Sequence, residues 1–293
     1  MIMEENHIIF VSIVLSTYND ERYIRQSIQS VLIQTYPYFE FIIINDGSTD
    51  NTLSIINEFV DSRIVLVDKV NTGLIDSLNI GFSKAKYDWV MRMDGDDICM
   101  PNRLQKLVEA LDDDYAVIGS ECELINGEDE TIGYTWLKYE HKDIVWRLRL
   151  QLPNIIHPST IINKRYFENI GGYDRFIQVA EDYDLWLRLS KLGLLGNVKH
   201  KLLKYRIHKF NISNIRRRGQ YLNTQIAYYK FRHNINLIYD DLQYERIRKY
   251  IEKNKFFKVA EWALINIGIS NIFKARIYKF IFQIFNQILK FLI

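Results

Sequence analysis

Three carboxylates within four residues, Asp94, Asp96 and Asp97, follow an apolar run made by Trp89, Val90, Met91 and Met93. The run reads as a buried strand, and Pro101 then opens a helix at its first turn. Holding three bare anions this close costs several kcal/mol unless a positive charge sits among them. A divalent cation bound through hard oxygen ligands would supply that charge, and a metal with few protein ligands commonly carries a phosphate-bearing substrate. The alternative is a solvated acidic turn that caps the following helix, with Asp97 serving its N-terminus.

Other polar clusters decide between the two. Ser16-Thr17-Tyr18-Asn19-Asp20 and Asn45-Asp46-Gly47-Ser48 each follow an apolar run, and Asp68 is followed closely by Asn71 and Gly73. Farther on come His157, the acidic pair Glu181-Asp182 at a helix start, and His208 behind a last strand. Each also has a plain structural reading: Asp46 as a turn residue, Tyr18 as core, Glu181-Asp182 as complements to a helix N-terminus, His157 as structural, His208 as surface. The chain lacks G-x-x-x-x-G-K-[ST] and has no G-x-G-x-x-G after the first strand, so phosphates are not expected on a glycine loop. It also lacks CxxC and HExxH, which leaves oxygen ligands and points to Mg²⁺ or Mn²⁺ rather than zinc.

These residues need a scaffold. Phe10–Ser16, Phe39–Ile44, Ile64–Val67 and the run before Asp94 alternate with amphipathic helices, the first with Ile24, Ile28, Val31 and Leu32 on one face. Strands alternating with helices make βαβ units and a parallel sheet, whose ligands bind beyond the carboxyl ends of the strands. The polar clusters should therefore meet on one edge. Beyond Pro101 the expectations are a helix to Leu111, two β-like stretches (Ala116–Gly119 and Cys122–Ile125), a helix over 142–150, a strand from His157 to Ile162, the helix opened by Glu181, and a strand from Leu202 to Ile207.

The net charge of +2 conceals an asymmetry. Residues 1–198 carry 18 Lys and Arg against 31 Asp and Glu, whereas residues 199–293 carry 20 against 5. An acidic front and a basic tail imply two jobs, the second with an anionic partner. Two cysteines give no disulfide framework and fit a reducing compartment. The apolar run Ile8–Leu15 is too short for a signal peptide or a membrane span.

The succession SIVLSTYND, SVLIQTYPYFEFIIINDGSTD, NTGLIDSLNIGFSKAKYDWVMRMDGDDICMPNRL, HPSTIINKRYFENIGGYD, AEDYDLWLRL and YRIHKFNIS resembles the family 2 glycosyltransferases over about residues 8–214. The resemblance implies a GT-A fold: an α/β, Rossmann-like, mostly parallel sheet flanked by helices. It implies an inverting, metal-dependent transfer of a sugar from a nucleoside-diphosphate donor, a UDP-sugar, to a hydroxyl of a saccharide or lipid-linked acceptor, as in the synthesis of cell-surface polysaccharide. By resemblance Ser16, Tyr18 and Asp46 hold the base, Asp94 reaches ribose and metal, Asp96 binds Mn²⁺ or Mg²⁺, and His208 lies near diphosphate or metal. Asp182 matches the catalytic base, with Glu181 and His157 beside it or lining the acceptor. Asn45 stands where the family usually has an aspartate.

Residues 1–214 are thus expected to form the catalytic domain and residues 215–293 a basic helical extension. In the extension Phe273, Ile277, Phe280, Ile281, Ile284 and Ile288 share one apolar face, with lysines largely opposite. Such a helix can lie in the plane of an anionic leaflet, or pack on the enzyme or on a second subunit. The first choice gives a cytoplasmic protein held on the inner face of the cell membrane beside its acceptor. No nucleic-acid module is present. Two rival functions are a nucleotidyltransferase, which should show a glycine-rich basic loop after the first strand, and an inactive sugar-nucleotide-binding or assembly protein.

Overall fold

The computed structural model describes residues 8–152, 154–208 and 217–253. β1 (Val11–Thr17), β2 (Phe39–Asn45), β3 (Ile64–Asp68) and β4 (Trp89–Asp94) are joined by α1 (Ile24–Leu32), α2 (Thr52–Asn57) and α3 (Leu74–Lys84). The four strands are parallel, in the order β3-β2-β1-β4. Every residue of β1 and β2 is buried, which accounts for near-continuous Val, Ile, Leu and Phe. Successive side chains still divide between two layers. Val14, Ile42, Ile44 and Val90 join α3 and α7 (Glu181–Leu189), whereas Ile13, Leu15, Ile43 and Met91 join α1 and α4 (Arg103–Val108). Each such side chain contributes about 1.5–3 kcal/mol of burial. Gly81 lets α3 approach this sheet, since a Cβ there would stand 2.3 Å from a Val14 methyl.

The sheet continues through β8 (Ile161–Asn163), antiparallel to β4, to β6 (Tyr115–Ile125), β9 (Leu194–Arg206) and the short β5 (Ile98–Cys99), with β7 (Thr131–Tyr134) paired to β6. Three sequence expectations change here. The two stretches after residue 116 form one strand, β6, because Ser120 and Glu121 between them carry the pairing with β9 through a local irregularity of register. His157–Ser159 is a 3-10 turn carrying Pro158 rather than a strand, and β8 starts only at Ile161. The helix expected from Pro101 begins at Arg103, with β5 interposed.

After α5 (His141–Arg149) and α6 (Lys164–Asn169), α7 leads into β9. Beyond residue 216, α8 (Arg217–Arg232) and α9 (Asp241–Lys253) pack on the body through Ile226, Ile238, Ile247 and Ile251 against Ile177 and Ala180. No helix among the described residues is long and apolar enough to cross a membrane. The amphipathic face expected at 273–289 lies outside the described residues.

Candidate active site

Register brings the polar clusters level. Ser16 pairs with Ile44 and Asp94 across β1, Thr17 with Asn45, and Asn45 with Asp68. The strand ends thus form one edge, as a parallel sheet requires. Asn45 donates to the Asp68 carboxylate at 2.7 Å, tying β2 to β3.

Carboxylate oxygens of Asp94, Asp96 and Asp97 lie within 4.8 Å of one another, and these are the one such group of His, Cys, Asp and Glu among the described residues. Two cations approach it from inside the protein. Arg92, two residues before Asp94 and so on the same face of β4, is buried and donates to the Asp94 carboxylate. Arg206, fully buried at the end of β9, donates its backbone N–H to Asp97 Oδ1 (2.8 Å) and its Nε to the Asp96 carbonyl (2.7 Å). His208 Nε2 stands 2.9 Å from Asp96 Oδ2, its ring beside Tyr23. Asp97, expected to serve the following helix, is instead fully buried, because β5 separates it from α4 and β9 covers it.

Asp97 Oδ2 is buried with no hydrogen-bond partner among the described residues. Burial, with the charges of Asp96 and Asp94, pushes Asp97 well above the usual carboxylate range; burial also raises Asp94, against the pull of Arg92. A hard-oxygen donor set with an unpartnered buried oxygen and excess negative charge fits a divalent cation such as Mg²⁺ or Mn²⁺. Asp20 adds a fourth acid. Burial and Asp96 push it up to about 7, and it accepts from Thr17 Oγ1 at 2.7 Å. A Cβ on Gly95 would come within 2.6 Å of Asp20 Oδ2, so glycine is what lets the two loops close. Either Asn19 or Asp20 is of a type that can cap α1 by its side chain, and Asp20 does not. Its backbone carbonyl does so instead, accepting from Tyr23 and Ile24, while the carboxylate turns to the cluster.

On the other flank, Asp46 is buried and accepts the N–H groups of Thr72 and Gly73 (2.9 Å each) and the Lys69 ammonium. It shapes the 69–73 loop as well as facing this edge. Ser16 is buried at the end of β1. Tyr18 is 48% exposed, which rules out a core role and leaves its ring open to a ligand. The loop bearing it is pinned by Asn19, whose φ of 57° is left-handed and whose side chain accepts from Thr49 N–H at 2.8 Å.

Glu181 and Asp182 open α7. Burial and the Asp182 charge push Glu181 up to about 8; burial also raises Asp182, which accepts the N–H of Tyr183 at 2.7 Å. His157 Nδ1 lies 3.8 Å from Glu181 Oε1, and its Nε2 meets the Tyr173 hydroxyl at 2.7 Å. Burial and Arg92 hold His157 well below its ordinary pKa, so the ring is neutral. The Arg92 charge acts on Asp94, Asp97, Glu181, Asp182 and His157 together, which joins the acidic cluster to the α7 acids in one field. Sequence reasoning passed over Arg92 and Arg206. The signal was a single arginine inside each otherwise strand-like run.

The architecture is a GT-A fold. Structures of residues 1–349 of S. aureus TarS share it: the chain in complex with UDP-GlcNAc superposes with a TM-score of 0.65 at 16% identity, covering 89% of this chain and 77% of that one. The chain in complex with UDP gives 0.62 at 16%, covering 90% and 76%. Residues 12–171 match the family model for glycosyl transferase family 2, and the chain belongs to that family. An uncharacterized glycosyltransferase of Haemophilus influenzae is 38% identical over 221 residues, covering 70% of this chain and 68% of the relative. The hyaluronan synthase of Pasteurella multocida is 30% identical over 275 residues, covering 88% of this chain and 26% of that enzyme.

Proposed function

We propose that this protein moves a hexosyl or N-acetylhexosaminyl group from a UDP-sugar to a hydroxyl of a saccharide or lipid-linked acceptor, inverting the anomeric centre. One observation carries the reading: an over-charged acidic cluster with an unpartnered oxygen shares the field of Arg92 with a second pair of acids. Such a site can hold a charged leaving group at one end and remove a proton at the other. The UDP and UDP-GlcNAc complexes of TarS and the hyaluronan synthase relative support the donor class and a place in polysaccharide synthesis.

In this reading the uracil rests between the Tyr18 ring and the Ser16–Asp46 edge, and Asp94 takes the ribose. Asp96, Asp94 and His208, with Asp97 Oδ2 behind them, would hold Mn²⁺ or Mg²⁺, which when bound supplies positive charge for the departing diphosphate. Asp182 accepts the proton of the acceptor hydroxyl as that oxygen attacks opposite the leaving group. Burial raises its pKa above the ordinary aspartate range, which makes it the stronger base. Glu181, protonated below about pH 8, adds no second negative charge there and can donate a hydrogen bond to the acceptor. Neutral His157 lines the same end, fixed by Tyr173.

The basic tail supports a position on an anionic leaflet next to a lipid-linked acceptor. Liposome flotation of the full chain and of a version ending near residue 268 tests that part: equal flotation on anionic vesicles removes it. The catalytic reading is tested by turnover of UDP-sugars with Mn²⁺ and with EDTA, for the parent and for Asp182→Asn. The expected result is Mn²⁺-stimulated transfer in the parent and a loss of about 10²- to 10⁴-fold in the variant. Unchanged turnover in Asp182→Asn refutes the assignment of the base.

A further inference from the structure

A second charged cluster meets α7 two residues beyond Asp182. Lys230, from α8, is fully buried, and its ammonium donates to Asp174 Oδ2 at 2.6 Å and to Asp184 Oδ1 at 2.8 Å. The other Asp184 oxygen accepts from Arg188 Nε at 2.7 Å, and Arg188 Nη1 donates to the carbonyls of Gly172 (2.7 Å) and Ile170 (3.1 Å). Asp174 also accepts the N–H groups of Ile238 (2.9 Å) and Phe176 (3.0 Å). Two carboxylates face two cations, all of them buried and bonded.

The residues so joined are neighbours of the site. Asp174 follows Tyr173, whose hydroxyl holds His157 opposite Glu181. Asp184 is two positions beyond Asp182, in the first turn of α7. The segment 174–184 is thus anchored at each end to one ammonium that comes from outside it. Tyr228 and Phe231 flank Lys230 along α8 and pack on the core that holds Leu185 and Trp186. The lysine also lies well beyond residues 12–171, the part of the chain matched by the family model.

We propose that Lys230 is a positioning residue for the reaction: its ammonium clamps Asp174 to Asp184 and thereby sets where α7 presents Asp182 to the acceptor hydroxyl. α8 is then part of the catalytic unit rather than an appendage to it. The inference rests on Asp182 as the base. A buried charge pair is weak evidence for stability, since an apolar replacement often serves as well. It does fix geometry, and the base must be held to a fraction of an ångström.

The test uses the full chain with Lys230→Met and with the double variant Lys230→Met/Asp174→Asn, which leaves no uncompensated carboxylate if the single variant fails to fold. For whichever variant folds, as judged by circular dichroism and a cooperative melt, kcat for UDP-sugar transfer and the Kd for UDP are measured. The expected result is a kcat lowered at least 10-fold with the UDP Kd within 2-fold of the parent, and partial recovery of kcat in Lys230→Arg. A folded variant with kcat within 2-fold of the parent overturns the proposal, and so does a loss that appears wholly as weaker UDP binding. Asp182→Asn run in parallel separates the two readings. If it keeps full kcat, the base assignment fails whatever Lys230 does; if it is inactive while Lys230→Met is not, only the clamp fails.

Discussion

Two carboxylate clusters meet at helix α7, and they are built oppositely. Toward the sheet edge, Asp94, Asp96, Asp97, Glu181 and Asp182 outnumber the cations that reach them. One buried oxygen there lacks a partner among the described residues, and Asp94, Asp97, Glu181 and Asp182 are pushed upward by burial. In the second cluster, Asp174 and Asp184 meet Lys230 and Arg188 in equal number, with every carboxylate oxygen bonded. In the proposed function the same residue types serve a reaction in one place and a joint in the other. What separates them is charge balance: a saturated cluster has nothing left to give a ligand, whereas an unsaturated one is a standing demand for a cation or a proton.

The contrast can be broken experimentally. Its largest effect is on turnover: Asp182→Asn should lose about 10²- to 10⁴-fold in kcat with no loss of melting temperature. Two residues along the same helix the outcome should reverse. Asp184→Ala leaves Lys230 and Arg188 without their shared anion, and urea denaturation should report a loss of about 3–5 kcal/mol.

The over-charged cluster should instead gain stability when an acid is removed. A Glu181 whose pKa rises to about 8 on folding releases its proton later than the unfolded chain does. Its contribution to stability is therefore fully present below the ordinary glutamate range and is lost as pH climbs toward 8. Glu181→Gln should raise stability by about 4 kcal/mol at pH 8 and by almost nothing at pH 4.5, as followed by thermal melts at both pH values. Asp97→Asn should add about 1 kcal/mol in EDTA at neutral pH, and should lose most of the thermal shift that Mn²⁺ gives the parent. As a control outside both clusters, Arg22→Ala removes an exposed pair with Glu128 and should cost less than about 1 kcal/mol.

The acids of the sheet edge were legible because they follow apolar runs, and the period of the strands told which ends would meet. The cations were not. Arg92, Arg206 and Lys230 look in sequence like the solvated residues that Arg and Lys usually are. Only the register of β4 with β1, the wrap of β9 over β5 and the docking of α8 reveal them as buried. Asp97 was misjudged for a related reason: a two-residue strand is too short to leave a periodic signal, so the acid was assigned to the helix beyond it. Helix α1 was recovered from its apolar spacing, and α7 from the acids at its start. The turn at His157 was mistaken for strand because Ile161 and Ile162 follow it.

The wrap of β9 over the acidic cluster also sets an order of events during synthesis. Asp96 receives the guanidinium of a residue 110 positions downstream, and a histidine 112 positions downstream. At a ribosomal pace of roughly 5–20 residues per second, the finished β1–β4 sheet waits about 5–20 s with these acids uncovered. The acidic edge is therefore closed late, by a strand that must arrive after the rest of the sheet has been made.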